Sequence, residues 1–447
     1  MKTYDIRGKL DRDLTPALAY RFGRAFAQVL GNGPFVIGHD CRLSSPALHN
    51  AFINGVRHSG GDVFDLGQSG TEEVYFAVSH LRAAGGVEVT ASHNPIDYNG
   101  FKFVGAESRP LPQEVFCAIC DLAETAQFSA GAAQGAYRQV DTRADYAAHI
   151  AQIAPVGTRP LRLLVNAGNG VAGAAFDAIV ARLAPPWTIH RINHVADGRF
   201  PRGIPNPLLP ENRAETAQAV LDHGADIGIA WDGDFDRCFF FDEAGTFVDG
   251  EFIVGLLAQA MLGDAPGASI VMDRRVMLNI TDAITASGGQ PVLARAGHIF
   301  IKQAMRDTDA LYGGEMSGHH YFRDFMFCDS GMIPWLKVAG LLSSTGQPLS
   351  QLVAGRKTRF CASGEMNFTV DDVAKVIARV AAHFSPIASH SDHADGLSMS
   401  FVDWRFNLRA SSTEPLLRLN VETTAGQAAC EAHTAQLRTI IEKNGGR

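Results

Sequence analysis

The chain predicts an α/β fold divided among several domains, and three observations carry that expectation. Short β-rich runs alternate with helical stretches, the pattern of α/β layers. Its 447 residues are too many for one core and suggest two to four domains. Three times, an apolar run stops at a polar residue and a helical pattern follows: residues 35–38, residues 161–165 ending at Asn166, and residues 269–272 ending at Asp273. After the first run, Ser45 is expected to cap a helix, with Pro46 at its first position and Gly60 at its end. These runs suggest three related α/β units. From about Phe360 the pattern changes to alternating strands and one helix. Boundaries near 138, 246 and 357 give expected domains 1–138, 139–246, 247–357 and 358–447.

Composition narrows the function. An apolar fraction of 46% with 19% charged residues suits a soluble globular protein. A net charge of −8 opposes phosphate-backbone binding, so no nucleic-acid partner is expected. An anionic substrate would then need a locally basic pocket. The first seven residues already include the charged Lys2, Asp5 and Arg7 and lack a signal-peptide core, and the longest apolar stretch, near 253–262, is too short to span a bilayer. No membrane partner is expected, and the cytosol is the expected compartment. Seven scattered cysteines, an odd number, suit reduced thiols. Cys117 and Cys120 form a lone CxxC, but Val115, Phe116 and Ile119 around them read as an amphipathic helix. Ordinary helix cysteines are favoured there over a redox or metal pair.

Three further apolar runs each empty into a polar loop, the place where open α/β sheets bind ligands. Residues 87–89 lead into Thr90-Ala91-Ser92-His93-Asn94-Pro95, residues 227–231 into Asp232-Gly233-Asp234-Phe235-Asp236-Arg237, and residues 310–312 into Gly313-Gly314-Glu315-Met316-Ser317-Gly318. Asp232, Asp234 and Asp236 alternate, so an extended loop can fan three hard oxygen donors around one point, which suits Mg2+. A calcium EF-hand begins with the same spacing, but Arg237 stands where its glycine belongs and residues 238–241 read as a strand. A solvated acidic turn is the plainer alternative. Ser92 reads either as a turn residue or as a serine that carries phosphate beside the metal loop. The G-x-S-x-G of a hydrolase nucleophile is absent around it. Asn99-Gly100 reads as a hairpin turn that folds Lys102 back towards Ser92. Arg409, Ser411, Ser412 and Thr413 offer a guanidinium fork and hydroxyls for a phosphate dianion. Glu315 and Ser317 can read vicinal sugar hydroxyls or cap a neighbouring turn. His319 and His320 lack zinc-ligand spacing.

Together the T-A-S-H-N-P, D-G-D-x-D-R, G-E-M-S-G-H and R-A-S-x-T-x-P loops resemble the α-D-phosphohexomutase superfamily, in order and spacing over essentially the whole chain. The stretch 314–323 resembles bacterial phosphomannomutases of GDP-mannose and exopolysaccharide biosynthesis, close to the dual phosphomannomutase/phosphoglucomutases. Met316 stands where glucosamine mutases resemble G-E-Q-S and many glucose-only mutases resemble G-E-E-S. The resemblance implies three similar α/β mixed-sheet domains and a smaller C-terminal α+β domain around a central cleft. It implies a phosphoserine at Ser92, which joins Asp232, Asp234 and Asp236 around Mg2+. It implies that Lys102 and Arg237 flank the transferring group. Glu315, Ser317 and His319 would meet the sugar; Arg409, Ser411, Ser412, Thr413 and the basic Arg275 would meet the other phosphate. Tyr4 and Arg7 would line the cleft. His93, Lys102 and His298 are the candidates for moving the hydroxyl proton. Ser412 departs from the family, where asparagine is common, but keeps a hydrogen-bond donor.

The implied reaction interconverts mannose 6-phosphate and mannose 1-phosphate, with glucose phosphates as further substrates. A hexose 1,6-bisphosphate serves as intermediate and activator, and a monomer is expected. Glucosamine-phosphate mutase is the rival in the same class, with Met316 against it; a mainly phosphoglucomutase activity is another. A non-enzymatic phosphosugar sensor on the same fold is the remote rival, and it would be expected to have lost Ser92 or an aspartate.

Overall fold

The computed structural model of the chain describes residues 4–31, 33–129, 133–154, 156–410, 416–443 and 445–446. It divides into two compact units, Met1–Val248 with Ser317–Leu349, and Asp249–Met316 with Ser350–Arg447.

The first unit contains two mixed sheets of related design. In one, strands run in the order Asp5–Lys9, Tyr98–Gly105, Gly85–Val89, Pro34–His39, Asp62–Gln68 and Tyr137–Gln139. The Gly85–Val89, Pro34–His39, Asp62–Gln68 and Tyr137–Gln139 strands pair in parallel, and Tyr98–Gly105 returns antiparallel. In the other, Ile227–Trp231 pairs in parallel with Arg162–Asn166, which pairs in parallel with Thr188–Ile192, and Cys238–Phe241 returns antiparallel. In both sheets, therefore, a polar loop leaves the carboxyl end of a buried strand and comes back as an antiparallel neighbour. Residues 90–97 form that loop in the first sheet and residues 232–237 in the second.

Burial explains the strands. Ile227–Trp231 and Gly85–Val89 are buried along their whole length, as strands covered on both faces must be. Helix Pro16–Leu30 begins where the Thr15 hydroxyl accepts the Leu18 N–H at 3.2 Å, with proline in its first turn, and stops at Gly31, where φ is +88°. Its apolar face meets a core of phenylalanines: the Phe26 ring lies 4.9 Å from Phe35, 5.8 Å from Phe52 and 5.6 Å from Phe103.

In the second unit, Ser269–Asp273 pairs in parallel with Gln290–Ala294 on one side and Tyr312–Gly314 on the other. The C-terminal part is an antiparallel sheet in the order Cys361–Ala362, Leu416–Thr423, Trp404–Ala410, Leu397–Ser400, His390–Asp392, with Met366–Thr369 also on Leu416–Thr423. That segregated arrangement is α+β. Glu422 ties it to its neighbour: its carboxylate accepts the Met277 and Leu278 N–H groups at the start of helix Leu278–Ala286 and the Arg405 Nη1 at 2.6 Å.

Four sequence expectations need correction. Asn99-Gly100 is not a turn; both residues lie inside strand Tyr98–Gly105, opposite Gly8 and Arg7. The strand after residue 311 begins at Tyr312 and includes Gly313 and Gly314, because its partners Ile270, Val271 and Met272 fix the register and glycine's low strand propensity conceals it. The helix after the first strand starts at Ser45 with Ser44 in the cap position and ends at His58; Ser45 turns its hydroxyl to Asp40 instead. The C-terminal segment has two described helices rather than one, Val373–Phe384 and Gln427–Lys443. Cys117 and Cys120 sit in helix Gln113–Thr125, and all seven cysteines are free thiols. Among the described residues no helix is long and apolar enough to cross a membrane.

One buried carboxyl makes the first unit's stability depend on pH. Glu72 is fully buried and accepts the Tyr146 hydroxyl, tying helix Thr71–His80 to helix Arg143–Ile153. Burial pushes it up to about 8 from an ordinary 4.5, against the hydrogen bonds from Ser330 and Tyr146. Between those values the folded chain keeps a proton that the unfolded chain has released, so stability falls as pH rises. Glu72→Gln is expected to flatten that decline by at most about 1.4 kcal/mol per pH unit, read from melting temperatures across the same window.

Candidate active site

The loop 90–97 presents Ser92 in an unusual conformation. Its φ is +49°, the left-handed region that costs a non-glycine residue roughly 1–2 kcal/mol. The neighbouring structure sustains it. The Ser92 N–H donates to the Thr90 hydroxyl at 2.8 Å, and that hydroxyl donates to Asp40 at 2.7 Å. The buried Arg42 donates to the carbonyls of Ser92, Asn94, Pro95 and Tyr98 at 2.9, 2.6, 2.9 and 3.1 Å. Arg7 adds a bond of 2.6 Å to the Thr90 carbonyl. The Ser92 hydroxyl is thereby aimed at Asp232, to which it donates at 2.6 Å, with His93 Nδ1 at 3.0 Å from Oγ and 3.9 Å from the same Asp232 oxygen.

The aspartate loop lies directly against it. A Cβ at Gly233 would sit 2.7 Å from the Ser92 carbonyl oxygen, so only glycine permits the approach. Asp232, Asp234 and Asp236 are all buried, with one oxygen of each within 4.8 Å of the others. Lys102 reaches in from strand Tyr98–Gly105 and bonds Asp234 at 2.7 Å and Asp236 more closely still. Thr71 donates to Asp234 at 2.6 Å. Arg237 Nε lies 3.7 Å from Asp232, 3.9 Å from Asp236 and 3.2 Å from His319 Nε2, while His319 lies 3.6 Å from Asp236.

These contacts set the charges. Burial, with Asp236 and Asp234 adding to it, pushes Asp232 up to about 8. Burial would raise Asp236 too, but Lys102, His319 and Arg237 together outweigh it and hold that carboxyl well below the usual range. Burial would lower Lys102, but Asp234 and Asp236 outweigh it and hold the ammonium above its usual value. Lys102 is thereby held as a positive charge between the two carboxylates.

The second unit contains a separate polar cluster. Arg275 forks onto Asp273 at 3.0 and 2.9 Å and reaches Glu315 at 3.1 Å. Glu315 also accepts the Gly297 N–H at 3.0 Å, just before His298 opens helix His298–Thr308. Glu365 accepts from Arg409 and Arg418, both at 3.1 Å, and lies 3.8 Å from Arg275. Among the described residues Arg409 Nε is a buried donor without a hydrogen-bond acceptor, as suits a group that can take an anion.

The structure thus brings Ser92, His93, Lys102, Arg237, His319 and the three aspartates together in the first unit, and Arg275, Glu315 and Arg409 together in the second. Arg7 grips the Ser92 loop; Tyr4 is half-buried just before the same strand. Ser317 lies in the first unit, 3.4 Å from His319 Nδ1. Ser411, Ser412 and Thr413 lie outside the described residues. Sequence reasoning missed Asp40, Arg42, Thr71, Asp273, Glu365 and Arg418. Asp273 had the one available signal, a polar residue closing an apolar strand.

Four family models match the chain in order: phosphoglucomutase/phosphomannomutase alpha/beta/alpha domain I over residues 1–130, domain II over 144–245, domain III over 249–360 and the C-terminal domain over 365–439. The chain is 52% identical over 447 residues to a phosphomannomutase of Salmonella montevideo, covering 98% of each. It is 51% identical over 442 residues to a phosphohexose mutase of Xanthomonas campestris pv. campestris, again covering 98% of each. A crystal structure of a phosphoglucomutase/phosphomannomutase family protein from Burkholderia thailandensis superposes with a TM-score of 0.89 at 30% identity, covering 99% of this chain and 97% of that one.

The acidic loop fits a hard divalent cation. Among the described residues Asp234 Oδ1 and Asp236 Oδ1 are buried without hydrogen-bond partners, and Lys102 and Arg237 are the permanent cations within 4 Å of the three carboxylates. A divalent cation is therefore expected to raise the melting temperature, with about 2.7 kcal/mol of stabilisation at a hundredfold excess over Kd. Asp234→Asn should fold and lose that rise, as read by thermal denaturation with and without the ion.

Proposed function

This chain belongs to the phosphoglucomutase/phosphomannomutase family, and we propose that it interconverts mannose 6-phosphate and mannose 1-phosphate through a phosphoserine at Ser92. Glucose phosphates are further substrates in this reading, and a hexose 1,6-bisphosphate is both intermediate and activator. One observation carries the assignment. The Ser92 hydroxyl is fixed in a strained backbone conformation 2.6 Å from Asp232, within a group of three buried carboxylates close enough together to share one ion. The proposed compartment is the cytosol, which suits seven free thiols.

In the first half-reaction the free hydroxyl oxygen of the bound hexose phosphate attacks the phosphorus on Ser92. The P–O bond to Ser92 Oγ breaks, and Oγ keeps the electron pair. The sugar hydroxyl loses its proton and Oγ regains one, so charge and atoms balance. Phosphoryl transfer needs positioning and charge compensation more than covalent chemistry. Asp232, Asp234, Asp236 and Ser92 would together hold Mg2+, which would supply Lewis-acid compensation for the phosphate charge there. Lys102 and Arg237 supply fixed positive charge. His93, 3.0 Å from Oγ, is placed to return the proton to it. The bisphosphate then turns end for end, and its other phosphate goes back to Ser92. Arg409, whose Nε has no acceptor among the described residues, holds whichever phosphate is not reacting, while Arg275 positions Glu315 to accept sugar hydroxyls.

Ser92→Ala is expected to lose turnover by about a thousandfold or more. Intact-mass analysis should find one phosphate on part of the wild-type population and none on the variant; substantial activity in a folded Ser92→Ala protein would falsify the phosphoserine role.

The two halves of the second-unit cluster should separate in steady-state kinetics. Arg409→Ala removes a charged contact worth about 2–5 kcal/mol when desolvated, and should lower kcat/KM in both directions for both sugars. Glu315→Gln should also shift the mannose-to-glucose preference, because the hydroxyls it meets change with the sugar. A strong change of preference from Arg409→Ala alone would move the anchor to another arginine.

A further inference from the structure

We propose that Arg42, backed by Asp40, is a positioning residue for phosphoryl transfer: its guanidinium fixes the backbone of the Ser92 loop so that Oγ keeps its aim through the exchange of phosphate. The inference rests on Ser92 as the phosphate carrier.

Arg42 lies beyond the end of strand Pro34–His39, in the loop before helix Ser45–His58, and is 1% exposed. It touches none of the three carboxylates of the aspartate loop within hydrogen-bonding distance; its side-chain hydrogen bonds go to four carbonyl oxygens, all from residues 92–98, and its Nε lies 3.5 Å from Asp40 Oδ2. A buried guanidinium that is neutralised by Asp40 and spends all its side-chain hydrogen bonds on backbone carbonyls of one short stretch has a geometric task. Each terminal nitrogen serves two carbonyls: Nη2 holds Ser92 and Asn94, and Nη1 holds Pro95 and Tyr98. This use of a planar fork is open to arginine and closed to lysine.

Asp40 completes the device from beneath. One carboxylate oxygen accepts the Arg42 N–H at 2.9 Å and the Ser45 hydroxyl. The other accepts the Thr90 hydroxyl, which in turn accepts the Ser92 N–H. Asn99 donates to both Ser44 and Ser45, tying the far end of the loop to the same base. The Ser92 peptide is thus held at its N–H through Thr90 and Asp40, and at its carbonyl by Arg42. Gly233 crowds that carbonyl from another direction. With N–H and carbonyl both fixed, the direction of the Ser92 Cα–Cβ bond is fixed, and so is the line from Oγ to the metal loop. The loop must keep that geometry both with a neutral hydroxyl and with a bulky dianion on Oγ, although φ of +49° would relax if the loop were free.

Arg42→Lys keeps the charge and loses the fork. We expect a folded protein with KM for mannose 1-phosphate within about threefold of wild type and kcat lower by about a hundredfold, the cost of a misplacement near 1 Å. Labelling of Ser92 by hexose 1,6-bisphosphate, followed by intact mass, should slow by the same factor. Thr90→Val, which removes the hydroxyl between Asp40 and the Ser92 N–H at nearly constant volume, should also lower kcat at constant KM. The double variant should be little worse than the more impaired single one, because both act on one backbone coordinate. A folded Arg42→Lys with kcat within threefold of wild type overturns the proposal. So does a variant whose activity per folded molecule is normal and whose melting temperature alone has dropped. If Arg42→Lys does not fold, Thr90→Val decides by the same criterion. A wild-type protein that takes no phosphate at Ser92 would instead remove the phosphoserine reading, leaving the two failures distinguishable.

Discussion

Three carboxylates buried in one loop cannot all be ionised without compensation, and much of the first unit is arranged around that constraint. Desolvating an unpaired carboxylate costs several kcal/mol, so each aspartate needs a cation, a proton or a strong donor. Lys102 serves Asp234 and Asp236, Arg237 lies near Asp232 and Asp236, and Ser92 and Thr71 donate hydroxyls to Asp232 and Asp234. Asp232 takes no lysine contact, and burial beside Asp236 and Asp234 pushes its carboxyl up. It is also the one that meets Ser92. A divalent cation in this group would therefore also meet the residue in contact with the proposed phosphate carrier.

The sheets supply the rigidity this arrangement needs. Lys102 arrives on a strand paired on both sides, opposite Asp5 and Glu88, and the aspartate loop is clamped between Ile227–Trp231 and Cys238–Phe241. Charges attached to strands do not follow a neighbour that moves, whereas charges on a free loop do. Preorganised electrostatics of this kind need no rearrangement when phosphate arrives.

Much of this was legible in the sequence, for reasons that differ from residue to residue. The aspartate loop was readable because alternate acids between two apolar runs can fan their oxygens around one point, although a solvated acidic turn fitted the same pattern, and the structure places those three carboxylates together and buried. Strand Ile227–Trp231 was read without error because an apolar run buried on both faces has no competing pattern. Tyr312–Gly314 was misplaced because two of its three residues are glycines, whose strand state is imposed by pairing with Ile270–Met272 rather than by propensity. Asn99-Gly100 misled in the opposite sense: a strong local turn signal was overridden when strand Asp5–Lys9, far back in the chain, claimed both residues as partners. Arg42, Glu365 and Arg418 gave no signal at all. What they do depends on partners distant in sequence, and one arginine in a polar loop looks like any other.

The contact between Gly233 and the Ser92 carbonyl has a consequence for how such a protein can change over generations. The two loops belong to different sheets, each with its own core, and either core could drift by small substitutions on its own account. The loops cannot. A side chain at 233 would push the serine backbone away, and a shift of the serine loop would leave the aspartates facing a gap. Inheritance must therefore treat the two sheets as one piece of hardware: an insertion, a duplication or an exchange of either domain alone would have to carry its partner's loop geometry with it, and recombination between distant relatives should succeed only where both loops come from the same parent.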